Sequence, residues 1–293
     1  MYVRAATLTS CILLLCASGV EAQQVSYSTW LLRDTVYVYE PVWMCARAQN
    51  MTGDDFPARP FVPTSDILRI EISDESGESV VGLRLAGTWV PTPDAFIAPF
   101  GLQEDCLSLL YYSAFSDSVS SYRYFPPGVY QIETRWHYDP WGRARVNDSP
   151  YLYDTVLLTV VMPTGDDSLA MEAYRAAGSA KANSRRQETE FLWQLAHDYP
   201  SSRFAAAALS TVALRIPSEV SSLISHTDVE IIRLLALTAP NHPSIARYIR
   251  GIARGRDGRN ELNVTLLREI SDAVPGTRAG DAAVRILRTE GVD

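Results

Sequence analysis

The residues best suited to chemistry are scattered along this chain. Its four histidines (His137, His197, His226 and His242) stand far apart, and none lies in a His-Glu-x-x-His pattern or beside a cysteine at zinc-site spacing. The sequence also contains no nucleophile elbow, phosphate-binding loop or dinucleotide-binding glycine pattern. We therefore predict no catalytic residues and no cofactor. A glycan-active enzyme stays open as an alternative, because a pair of glycosidase carboxylates leaves no short motif.

Three acidic segments contain oxygen ligands of the kind that calcium binds. They are Asn50 with Asp54-Asp55, Glu104-Asp105, and Asp139 with Asn147-Asp148. No EF-hand spacing occurs in them, and acidic side chains at a protein surface are ordinarily solvated. We predict no metal site.

Aromatic side chains offer recognition by apolar contact and stacking. Residues 87–105 contain Trp89, Phe96 and Phe100 among three prolines, with no period-two pattern, and residues 136–145 add Trp136 and Trp141. Long loops on a rigid scaffold often carry recognition, so we predict these five side chains as a binding loop. In residues 136–145 the aromatics and two arginines are candidates for stacking on sugar rings. The alternatives are a loop folded back over its own domain for residues 87–105 and side chains that simply fill a turn for residues 136–145.

Three arginines in the second half of the chain share one side of a predicted helix. Arg247, Arg250 and Arg254 follow the spacing i, i+3 and i+7. This basic face is predicted as a candidate contact for an anionic partner. The alternative is an ordinary solvated helix surface.

The elements that position these residues differ sharply between the two halves of the chain. Five of the six tryptophans and eleven of the fifteen tyrosines lie between residues 23 and 165, whereas alanine is concentrated afterwards. Aromatic residues favour strands and alanine favours helices. We predict a β domain at 23–165 and an α-helical domain at 166–293, separated by the turn residues at 163–167.

Several runs in the first domain alternate between apolar and polar residues with period two. Residues 67–73 and 129–136 are the clearest. About seven short strands are predicted in all, at 35–39, 42–49, 67–73, 81–85, near 106–112, 129–136 and 154–162. Half-buried antiparallel strands separated by turns indicate a β-sandwich. The stretches DTVYVYEPVWMCARAQN (34–50) and FPPGVYQIETRW (125–136) resemble bacterial immunoglobulin-like domains and, loosely, a proteinase-inhibitor-like family of sandwich domains. That resemblance implies an immunoglobulin-like fold, with proteinase inhibition as an alternative function.

The second domain is predicted to consist of consecutive amphipathic helices. Capping-box patterns begin at Ser184 and Thr227, and prolines 200, 217, 240, 243 and 275 separate the apolar-periodic segments. A motif that consists of a proline, a polar turn and an alanine-containing helix recurs at 199–209, 239–249 and 274–287. Such a recurrence is typical of helical-hairpin repeats. The stretch EFLWQLAHDYPSSRFAAAALSTVA (190–213) resembles tetratricopeptide repeats of bacterial envelope proteins. The predicted fold class is thus α+β multidomain, with a sandwich followed by an all-α helical-hairpin repeat domain.

The first residues predict export. Arg4, the apolar run 6–20 and Val20-Glu21-Ala22 form a signal peptide at 1–22 with cleavage after Ala22. A lipid on Cys11 is the disfavoured alternative, because most of the apolar run follows that cysteine. No later run is apolar and long enough to cross a bilayer, so we predict no transmembrane segment in the mature chain. In an oxidising compartment Cys45 and Cys106, the two mature cysteines, are predicted to form a disulfide, with two buried thiols as the alternative.

The formal net charge of −8 argues against a general nucleic-acid binder. We expect a periplasmic or extracellular, non-catalytic protein that acts as a scaffold or binds a protein partner. The competing functions are a carbohydrate-binding module or glycan-active enzyme, and a proteinase inhibitor.

Overall fold

The computed structural model describes residues 24–58, 61, 67–82, 96–109, 125–138, 151–180, 185–213, 226–253 and 261–291. Ten strands and seven helices are bounded within these ranges. The strands end at Val161 and the first of the seven helices begins at Asp166, so the change of structure falls at the predicted turn. The predicted signal peptide, cleavage site and Cys11 lie outside the described residues.

Two sheets, one antiparallel and one antiparallel except for a single strand pair, make up most of the β part. The strands are β1 (Val25–Leu31), β2 (Thr35–Tyr37), β3 (Trp43–Asn50), β4 (Phe56–Pro57), β5 (Leu68–Asp74), β6 (Ser79–Gly82), β7 (Phe96–Ile97), β8 (Leu102–Ser108), β9 (Gly128–His137) and β10 (Tyr151–Val161). One sheet has the order β1-β3-β8, the other has the order β2-β10-β9-β5-β6, and β4 pairs with β7. Only the pairing of β10 with β2 is parallel among the strand pairs of these described segments.

Alternation decides which face of each strand is buried. In β5, Leu68, Ile70 and Ile72 point into the core, whereas the residues between them face solvent. The inner faces of the two sheets share one apolar core, where Tyr27 of β1 stacks on Trp136 of β9 with 5.5 Å between ring centroids. The predicted β-sandwich is confirmed as two packed sheets.

Cys45 and Cys106 meet within one sheet. Cys45 of β3 and Cys106 of β8 are direct partners in the antiparallel register, and a disulfide joins them with 4.0 Å between their Cα atoms. Antibody-type sandwiches place their conserved disulfide between the two sheets. This bond instead ties together two neighbouring strands of the three-stranded sheet.

The helical part packs its helices in chain order. The helices are α1 (Asp166–Ala180), α2 (Arg185–Asp198), α3 (Arg203–Ala213), α4 (His226–Thr238), α5 (Ile245–Ala253), α6 (Glu261–Ala273) and α7 (Arg278–Thr289). Each helix contacts the next one, and α1 with α3, α4 with α6 and α5 with α7 are also in contact. None of these helices is both long and apolar enough to cross a bilayer.

Prolines separate the helices as the sequence predicted, whereas the capping residue that the structure shows is not one that was predicted. Each of the three recurring proline motifs contains the start of a helix, namely α3, α5 and α7. At the last of these, Thr277 caps α7, since its side chain accepts a hydrogen bond from the Gly280 N–H at 3.2 Å. Helix α4 begins at His226, so Thr227 lies in its first turn and does not precede it as the capping-box prediction required.

Side chains from the sandwich and from the helices contact each other. The pairs are Tyr37 with Phe204, stacked at 6.3 Å, Trp43 with His242, edge-on at 4.9 Å, Glu40 with Arg203, 3.6 Å apart, and Glu104 with Arg278, 2.5 Å apart. Aromatic and ionic contacts thus both contribute to the junction between the two parts.

Candidate functional site

The predicted binding loop is exposed at two of its five aromatic positions. Phe96 and Phe100 are 53% and 68% exposed, which is unusual for phenylalanine. Trp89 and Trp141 lie outside the described residues. The exposed pair therefore marks one end of the sandwich as a candidate contact surface.

The prediction that Trp136 contacts a ligand is wrong. Its side chain is fully buried, and its ring packs against Phe61 at 5.0 Å as well as against Tyr27. Tyr130 and Ile132 share the inner face of β9 with it, because residues two apart on a strand point the same way. Alternation was visible in the sequence and already placed Trp136 on that apolar face.

Two further large apolar side chains are exposed on segments whose backbones are hydrogen-bonded to each other near Phe100. Met51 follows β3 and is 52% exposed, and Leu102 begins β8 and is 56% exposed. We call Met51, Phe96, Phe100 and Leu102 the apolar tip. Met51 was not among the predicted contact residues, although the exposed positions Arg47 and Gln49 predict that the next residue in that alternation also faces outward.

A buried asparagine fixes the backbone that carries this apolar tip. Asn50 is fully buried, and its Nδ2 donates to the carbonyl oxygens of Asp54, Ile97 and Ala98 at 2.7, 3.0 and 3.1 Å. Its Oδ1 accepts from the Thr52 N–H at 2.9 Å and from the Thr52 hydroxyl at 2.8 Å. One side chain thus holds two loop segments that are more than forty residues apart in sequence.

Phe100 adopts a backbone conformation that costs energy. Its φ of 54° lies in the left-handed region, which costs an L-residue about 1–2 kcal/mol. The Phe100 N–H donates to the Thr52 carbonyl at 3.2 Å, and this bond helps to keep the conformation in place. Strained backbone of this kind persists only where the surroundings determine it, and it concentrates at functional sites.

The acidic segment beside the apolar tip is not arranged as a metal site. Asn50 uses its side-chain oxygen on Thr52, so that oxygen is already engaged by two donors. Within the described ranges, no group of three or more histidine, cysteine, aspartate or glutamate side chains is placed to hold a metal ion. Residues 139, 147 and 148, which form the third acidic segment, lie outside these ranges.

The predicted basic face lies on α5. Arg247 and Arg250 are both exposed, while Ile245, Tyr248 and Ile249 of the same helix are buried. Arg254 follows the last residue of this described segment. The two arginines therefore stand on the solvent side of the helix, as their spacing predicted, and a partner for them stays a prediction.

The described histidine side chains occupy separate environments. His137 stacks on Tyr151 at 4.3 Å, and the His197 ring packs edge-on against Trp193 at the same distance. Burial, with a smaller contribution from the Arg278 charge, lowers the pKa of His242 to about 4. His242 is therefore neutral near pH 7. Its Nδ1 accepts from the Ser244 N–H at 3.2 Å, which leaves the proton on Nε2.

Comparisons with known proteins give no family for this chain. No family model and no curated protein sequence matches it. Among solved structures it is similar to the CARDB domain of the PF1109 protein from Pyrococcus furiosus, in a crystal structure in complex with di-metal ions. The identity is 11% and the TM-score 0.27, over 47% of this chain and 94% of that chain. A solution NMR structure of the same domain gives 11% identity and a TM-score of 0.26, over 48% and 96% of the two chains.

Proposed function

We propose that this chain is an exported, non-catalytic protein of the bacterial envelope that binds another protein through the apolar tip. The observation that carries the proposal is the exposure of four large apolar side chains on segments held by the buried Asn50. Exposed apolar clusters on soluble proteins commonly mark interaction surfaces.

The composition of the apolar tip suits a protein interface. Phenylalanine and methionine are enriched in interface cores, which are surrounded by a polar rim. Here Gln49, Asp54 and Asp55 are exposed beside the apolar residues and would supply that rim. Because Asn50 already fixes the loops, binding would lose little conformational entropy, which favours affinity.

Export and a supporting role for the helices are parts of the same proposal. The disulfide between Cys45 and Cys106 supports an oxidising compartment, where such bonds persist. In the helical part, the contacts of each helix with the next support an arrangement of tetratricopeptide-like hairpins. Such hairpins would present the basic face of α5 as a second, anion-directed surface.

Site-specific photo-crosslinking tests the apolar tip. A benzoylphenylalanine at position 100 should capture one reproducible protein partner in envelope preparations, and the variant Phe96→Ser/Phe100→Ser should bind that purified partner at least tenfold more weakly. Phe191 on α2 is the matched control, because it is also apolar and 54% exposed. Equal capture from positions 100 and 191, or full affinity of the double variant, would reject the apolar tip as the binding surface.

Charge reversal tests the basic face separately. Arg247→Glu/Arg250→Glu should weaken binding of the same partner at low salt if α5 contacts an acidic surface, and the effect should shrink at high salt. Unchanged binding at low salt would make these arginines an ordinary solvated surface. It would leave the result for the apolar tip unaffected.

A proteinase inhibitor is the second candidate, favoured by the fixed conformation of the loops that Asn50 holds. An exposed phenylalanine on rigid backbone suits the hydrophobic specificity pocket of chymotrypsin-like enzymes. Dose-dependent inhibition of such a proteinase, lost in Phe100→Ala, would support this function. No inhibition at micromolar protein would exclude it for that class. Trp136, one of the two tryptophans proposed to stack on sugar rings, is buried, and this weakens the case for a carbohydrate-binding function.

A further inference from the structure

We propose a second, separate binding site, in which a cavity between the sandwich and the helices takes a small apolar monocarboxylate. The cavity has a volume of about 390 Å³. This falls within the range of about 300–1,000 Å³ typical of small-molecule sites, which often form where two parts of a protein meet.

The wall of the cavity is mainly apolar and comes from both parts of the chain. Trp43 of β3 lines it from the sandwich, and Leu192, Ala206 and Ala207 line it from α2 and α3. Pro240, in the turn between α4 and α5, also lines it. The alanines leave the space that larger side chains would fill, and the indole offers a flat apolar face.

Two polar groups in this wall can form a hydrogen bond with a ligand. Ser108 is only 4% exposed, and its hydroxyl oxygen has no hydrogen-bond partner among the described residues. It lies directly across from Trp43 in the β3–β8 register, so both side chains point to the same side of the sheet. His242 lines the cavity too, and its Nε2–H is a donor because Nδ1 already accepts from Ser244.

The charged side chains favour an anion at one end of the cavity. Arg33 donates from Nη1 to Glu40 at 2.8 Å, and Arg203 uses its Nη1 for Glu40 and for the Thr35 carbonyl. Two guanidinium groups thus face one buried carboxylate, and each keeps donors that are not used in the described contacts. A ligand carboxylate would accept hydrogen bonds from the unused donors of both arginines.

Glu188 limits the ligand to one carboxylate. It is buried, lines the cavity and lies near the start of α2. Helices α2 and α3 are joined by a four-residue turn and pack together, so the start of α2 lies near the end of α3 that is far from Arg203. A second carboxylate at that end of the ligand would face the Glu188 carboxyl group, which disfavours dicarboxylates.

Titration calorimetry with the full mature chain tests the site, using three eight-carbon probes of matched length. Octanoate should bind, octanamide at least tenfold more weakly, and the dicarboxylate suberate not measurably. Arg203→Gln should weaken octanoate binding at least tenfold, and Ala207→Phe should abolish it by filling the space. Arg47→Gln is the matched control, because Arg47 pairs with Glu104 outside the cavity.

The outcomes separate the parts of the inference. No octanoate binding at millimolar concentration, or unchanged binding in Ala207→Phe, would overturn the cavity as a site. Equal affinity for octanoate and octanamide would overturn the assignment of a carboxylate. The variant Phe96→Ser/Phe100→Ser should bind octanoate normally, since the apolar tip does not line the cavity.

Discussion

Removing the disulfide is the most direct test of how the sandwich is held together. The double variant Cys45→Ala/Cys106→Ala replaces two side chains that are direct partners across β3 and β8. Alanine fits both positions without overpacking, and it deletes the cross-link while the register can persist through backbone hydrogen bonds. We expect the variant to fold and to be less stable.

The magnitude follows from the length of the loop that the bond closes. The two cysteines are 61 residues apart, and the chain-entropy relation gives about 4 kcal/mol of stabilisation for a loop of that length near 25 °C. Engineered and natural bonds often deliver somewhat less, because the unfolded chain keeps residual structure. We therefore expect the free energy of unfolding to fall by about 3–4 kcal/mol.

Urea unfolding monitored by tryptophan fluorescence measures this difference. The oxidised wild type, the reduced wild type and the double variant should be compared, and the last two should agree within about 1 kcal/mol. Two free thiols in protein prepared from an oxidising compartment would refute the pairing. A destabilisation below about 1 kcal/mol would refute the argument from loop closure.

Three other substitutions have defined expectations. Asn50→Ala should lower the free energy of unfolding by about 3 kcal/mol in urea titrations, because several buried backbone groups lose their partner. A loss under about 1 kcal/mol would mean that the two loop segments keep their conformation without the asparagine side chain. Glu40→Gln should cost about 2 kcal/mol by removing a buried charge bonded to Arg33, with Glu71→Gln, which is exposed, as the control. Because the pKa of His242 is about 4 in the folded chain and 6.5 unfolded, the free energy of unfolding should fall as the pH decreases through that window, by up to ~3 kcal/mol. His242→Gln should flatten this fall, and an unchanged slope would reject the assignment.

The local pattern of apolar and polar residues predicted most of the strands and helices. Apolar residues at alternate positions predicted β5 and β9 within one residue of their bounds, and helix α2 begins at Arg185, directly after the capping-box residue Ser184. These features depend on neighbours in sequence, so one segment suffices to predict them. The predicted strand near 106–112 is displaced, since β8 spans Leu102–Ser108.

The sequence pattern did not predict β1, because one of the side chains that this strand turns toward the core is polar. Thr29 is buried, and its N–H and hydroxyl both donate to the Asp154 carboxylate of β10, at 2.5 and 3.0 Å. A threonine among serines gives no clear alternation, so the segment has little strand signal of its own. Its burial depends on a partner 125 residues away.

Composition and short-range periodicity were enough to predict the two kinds of structure, the change near residue 165 and the pair of cysteines available for bonding. Long-range packing, which no single segment encodes, buries Trp136 in the core and places the disulfide within one sheet. It also brings the segments of Met51 and Phe100 together at an exposed end. It also brought Glu40 to Arg203 across the junction where the cavity forms. Such contacts join residues far apart in sequence, and the packing of whole sheets and helices selects them.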